Sequence, residues 1–216
     1  MFIHALSRHW SAALVACSLS APAAQAQVRG LPFFFDPTYS YQYRAGIDVG
    51  NGGELGGVVW TVGASRLFPI GNCTKLAVSA AGGAWHPSGN RSDGLNLGAT
   101  GSYLLNPCPR PLSSPNPTYR LVAGGGLTRA DGRSVLNVPL GAQVGYMLEW
   151  AVARVEPWAT LRAHYLESPV TEDQATWRLG LSVGLNIGVA STLGARAAAD
   201  FGTGRVGFGG GLSLWW

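Results

Sequence analysis

Long runs of period-two alternation, scarce charge and abundant glycine predict an all-β chain. The expected fold is a transmembrane antiparallel up-and-down β-barrel of about ten strands, with eight as the smaller alternative. Of 216 residues, 47% are hydrophobic, only 12% are charged and 31 are glycine. An average soluble domain is about 25% charged. An interior glycine costs a helix about 1 kcal/mol relative to alanine, so this composition disfavours a helical bundle. The glycines follow no G-x-y period, which excludes collagen. Eight tryptophans and little charge exclude a disordered chain.

Residues 1–26 read as a cleaved signal peptide. His4, Arg8 and His9 make a weakly basic start, Trp10 to Leu19 is the apolar stretch, and Ala24-Gln25-Ala26 is an A-x-A cleavage site. A retained spanning helix would need about 20 apolar residues, more than this stretch offers. Leu14-Val15-Ala16-Cys17 resembles a lipobox, which makes lipidation of Cys17 the alternative. Residues 27–37 then form a lead-in, or a small plug, before a barrel spanning 38–216.

The expected strands are 38–50, 57–67, 74–86, 94–106, 118–129, 135–149, 152–166, 176–189, 191–201 and 205–216. In the first, Tyr43, Ala45, Ile47 and Val49 alternate with Arg44, Gly46, Asp48 and Gly50. The second and fifth alternate least clearly, which is why eight strands is the alternative. In the sixth, Leu136 to Trp150 take every second position against Asn137, Gln143 and Glu149. The seventh sets Val155, Leu161 and Tyr165 against Arg154, Glu156, Arg162 and His164. The eighth sets seven apolar residues, Trp177 to Val189, against Arg178 and small or polar residues. The last sets Val206, Phe208, Leu212, Leu214 and Trp216 against Arg205, glycines and Ser213. Segments this long exceed the common soluble strand of about 5–6 residues. They suit a tilted membrane-crossing strand of about 9–11.

The connections alternate in character. Those at 50–57, 86–93, 128–134, 167–175 and 202–204 are polar, and those near 69–72, 149–151 and 190–191 are very short. Residues 106–117 break the pattern with five prolines. The midpoint between Cys73 and Cys108 falls inside the turn candidate His86 to Asp93, so a hairpin folded there would bring them together. In an exported chain a disulfide is expected.

With these features the chain resembles the small outer-membrane β-barrel proteins of Gram-negative bacteria, the OmpA-transmembrane-like and OmpX-like families. The likeness covers 38–216 by pattern rather than identity. Its most specific element is the end, Gly209-Gly-Gly-Leu-Ser-Leu-Trp-Trp216. The resemblance implies that Leu212, Leu214 and Trp216 form a signal for the barrel-assembly machinery, although phenylalanine is the more usual last residue. It also implies location in the outer membrane, contact with its lipid, and a structural or interaction role.

If the apolar parity meets lipid, the other parity faces inward. It carries Arg44, Asp48, Glu149, Arg154, Glu156, Arg162, His164, Arg178, Arg196, Asp200 and Arg205 as a paired polar network, with glycines leaving room for the long side chains. A midplane arginine on a lipid face costs about 2–4 kcal/mol, so this sorting supports the barrel. A narrow anion-favouring channel lined by these arginines is the second reading. An outer-membrane hydrolase is the third, built on His164 with Ser168, Glu172 and Asp173, or on His86 with Asp93. No G-x-S-x-G, H-E-x-x-H or phosphate loop stands in the sequence. A monomer without cofactor or metal is therefore expected. The net charge of +4 is scattered, which disfavours nucleic acid as a partner.

Overall fold

The computed structural model describes residues 42–51, 57–70, 75–88, 92–105, 117–130, 133–150, 153–167, 176–201 and 206–216. The proposed signal peptide, the lead-in and both mature-chain cysteines lie outside them. The elements are β1 (Tyr43–Asn51), β2 (Val58–Pro69), β3 (Lys75–His86), β4 (Gly94–Leu104), β5 (Pro117–Ala130), β6 (Arg133–Tyr146), β7 (Leu148–Trp150), β8 (Ala153–Glu167), β9 (Thr176–Gly188), β10 (Leu193–Phe201) and β11 (Gly207–Trp215).

Apart from β6 and β7, sequence neighbours pair antiparallel, and β1 pairs with β11 to close the sheet. β6 and β7 both run along β8, with Gly145 opposite Trp158 and Leu148 opposite Val155. Those two pairs share one register, so β6 and β7 are a single stave interrupted at Met147. The result is a closed ten-strand antiparallel β-barrel, as the alternation predicts. The start of β1 meets the end of β11 at the seam, and Tyr43 and Trp216 exchange both backbone hydrogen bonds at 3.1 Å at this chain-end mouth.

The faces sort by the period of a strand. On β4, Asn96, Thr100 and Ser102 are buried, while Leu95, Leu97 and Tyr103 are exposed. The β3–β4 hairpin turns where expected, with Trp85 opposite Gly94. The β5–β6 ladder omits Gly124 and Gly125 but resumes in register at Gly126 opposite Asn137. Pro139, which has no N–H to give, sits in that gap.

Inward glycines admit large side chains. A Cβ at Gly184 would overlap the Trp158 indole, and one at Gly194 would overlap Trp215. Gly57 adopts a φ of 85°, at the start of β2 against the backbone of His86 and Pro87. That left-handed conformation suits glycine, which has no Cβ to clash.

Candidate functional site

The interior is the site the sequence points to, because strand geometry drives its charges together. Asp48 on β1 and Arg196 on β10 both face Gly211 on the intervening β11. With no side chain between them, the Arg196 guanidinium takes the Asp48 carboxylate in a fork: Nε donates to Oδ1 and Nη2 to Oδ2. Both side chains are only 3% exposed.

A second cluster joins β8, β9 and β10. Arg162 donates to the Ser182 hydroxyl and to Asp200 Oδ1, and Ser182 Oγ lies 3.0 Å from that same oxygen. Ser182 is the register partner of both Thr160 and Asp200. A third cluster lies nearer the chain ends. Arg44 donates to Ser213 Oγ at 2.9 Å and stands 5.9 Å from the Trp215 ring centroid. Arg120 donates to Ser102 Oγ at 3.3 Å. The buried Glu156 interacts electrostatically with both Arg44 and Arg120, across staves that are not neighbours. Buried charges are tolerated when paired and hydrogen-bonded in this way.

Of the predicted interior residues, Arg44, Asp48, Glu156, Arg162, Arg196 and Asp200 thus come together. Three others stand apart from these clusters. Glu149 and Arg154 pair with each other at 3.2 Å, at a strand end where both are substantially exposed. Arg178 is also exposed, in the first turn-side residues of β9. These three share the inward parity but stand at the rims, where water reaches them. The His164 side chain, Arg205, Ser168, Glu172, Asp173, Cys73 and Cys108 lie outside the described residues.

Sequence reasoning missed Arg120, which is 2% exposed. Its signal was the alternation of Tyr119 and Leu121 around it, masked by Val122 on its own face and by Gly124-Gly-Gly126. Also unanticipated was the buried interior tryptophan Trp85, whereas Trp215 is buried on the inward parity of Ser213. Trp215 Nε1 donates to the Ser191 carbonyl at 2.8 Å, which ties the indole down near the chain-end mouth.

At the opposite rim His86 Nδ1 lies 2.7 Å from Asp93 Oδ1, and Trp60 Nε1 donates to His86 Nε2 at 3.4 Å. Both ring nitrogens are therefore engaged, leaving none directed at a nucleophile. Among the described residues no three His, Cys, Asp or Glu side chains are grouped to hold a metal ion. No protein-family model matches the sequence, and no curated protein matches it.

Proposed function

We propose that this chain is an integral β-barrel of the bacterial outer membrane with a structural or interaction role and an interior filled by its own side chains. The observation that carries this reading is the inversion of the two faces. Leu95 and Leu179 are each 71% exposed on the outer face, while Asp200 and Arg120 are each 2% exposed inside. Exposed apolar residues of this kind recur on every long strand. Monomeric soluble proteins rarely expose a contiguous apolar patch beyond a few hundred Å².

Aromatic residues flank that band. Tyr43, Phe68, Tyr103, Tyr119 and Trp216 stand toward the chain-end mouth, and Trp60, Tyr165, Trp177, Phe201 and Phe208 toward the other. Two such girdles are what a lipid-facing barrel surface carries. The partners of this reading are outer-membrane lipid and, through Leu212, Leu214 and Trp216, the assembly machinery. The barrel acts as a monomer in it.

Conduction through the arginines is disfavoured, because Arg120, Arg162 and Arg196 are nearly inaccessible. The test is gel migration after refolding in detergent, with fractionation of the cell envelope alongside. A band whose mobility changes on boiling, recovered with the outer membrane, is expected. Unchanged migration, or a protein folded and soluble without detergent, would overturn the proposal.

A further inference from the structure

Two arginines with described side chains take the outward parity, Arg66 and Arg129. Arg129 is at the loop-side end of β5, whereas Arg66 lies within the aromatic girdle of the chain-end mouth. It is the register partner of Tyr43 on β1 and Val78 on β3. Its guanidinium carbon stands 5.1 Å from the Tyr43 ring centroid and 4.8 Å from that of Phe68. Tyr43 in turn stacks on Trp216, with centroids 6.1 Å apart. Among the described residues Arg66 makes no ion pair.

Aromatic faces attract a cation and hold a guanidinium by its flat side. The N–H groups in its plane then remain available, in the fork geometry that fits a phosphate. An exposed outward arginine is tolerated on a barrel only where the lipid face gives way to headgroups. Its outward placement in the girdle and its aromatic platform thus ask for the same thing, an anion at headgroup depth.

We infer that Arg66, set between Tyr43 and Phe68, binds the phosphate of a glycerophospholipid in the leaflet at the chain-end mouth. This rests on the membrane reading above. The Tyr43–Trp216 stack backs this platform across the β1–β11 seam.

The test uses the full chain refolded in non-ionic detergent, after its mobility change on boiling has been checked. Native mass spectrometry then follows retention of added dioleoyl phosphatidylglycerol, dioleoylglycerol or inorganic phosphate. Phosphatidylglycerol should be retained, and Arg66→Gln should weaken that retention about tenfold, the scale of one lost charge-assisted contact. Arg129→Gln should leave it unchanged. Phe68→Leu should weaken it less, and it supplies the reading if Arg66→Gln does not refold. Equal retention by wild type, Arg66→Gln and Phe68→Leu would overturn the site while leaving the membrane barrel standing. Retention of dioleoylglycerol as firm as that of phosphatidylglycerol would overturn phosphate recognition. Inorganic phosphate competing as an equal would make this a free-anion site instead. A chain that shows no mobility change would sink the membrane reading itself.

Discussion

Asp48 and Arg196 grip each other across the bare backbone of Gly211, so one ion pair spans three adjacent staves of the barrel. Removing one partner leaves a buried charge without its ion-pair partner. Arg196→Met should therefore cost about 3–5 kcal/mol, and replacing both residues by apolar ones should recover most of that loss. Urea unfolding in detergent micelles reads both. A neutral single substitution would show that the pair contributes no stability.

Trp158 lies against Gly184 with no space for a methyl group. Gly184→Ala should destabilise the barrel by about 1–3 kcal/mol through overpacking. The cost should fall in a Trp158→Phe background, and a double-mutant cycle measures the coupling. Equal costs in both backgrounds would place the strain elsewhere, at the Ala197 carbonyl.

The lipid-facing reading predicts a dependence on depth. Leu181, near the middle of β9, should lose about 2–4 kcal/mol on change to arginine in a bilayer. Leu193, at the end of β10, should lose about 0–1 kcal/mol. Folding titrations in lipid vesicles separate the two, and equal costs would contradict an outward bilayer at this height.

A filled interior should not conduct. Wild-type protein in a planar bilayer should show no steady current, and the combined change of Trp85, Trp158 and Trp215 to alanine should open one. Steady anion-selective conductance from the unmodified protein would restore the channel reading.

Trp216 both closes the seam through its backbone and stacks on Tyr43. Its deletion should lower the yield of folded barrel both in vitro and in the envelope, counted by heat-modifiable band intensity. Loss in the envelope alone would assign the residue to recognition by the assembly machinery rather than to closure.

The period of two carries most of the architecture in the sequence itself. It gives the ten staves, their faces and the hairpin turn between Trp85 and Gly94. It fails where the inner face is itself apolar or featureless. β5 hides Arg120 in this way, behind Val122 and three consecutive glycines. It is also blind to the interruption at Met147, because the alternation from Val144 to Trp150 runs through it without a change of phase.

Parity names a face but not the residue on the opposite wall. That Glu156 would serve Arg44 and Arg120 depends on the closure and stagger of the cylinder, whereas Arg162 reaches Asp200 through the register of β8, β9 and β10. Closure and stagger come from the register of all strands together. The rim positions of Glu149, Arg154 and Arg178 follow from where each strand stops, and strand ends are the least legible part of such a pattern.

The alternation that dresses the outer wall also hides it in the unpaired chain. Among the described residues no helix is long and apolar enough to cross a membrane. Leu179, Leu181 and Val183 are each separated by a glycine or serine, so the extended chain offers oil only at every other step. The greasy surface comes into being when the strands pair and their odd and even residues part company. Until then, a chain of this pattern shows water no continuous apolar surface.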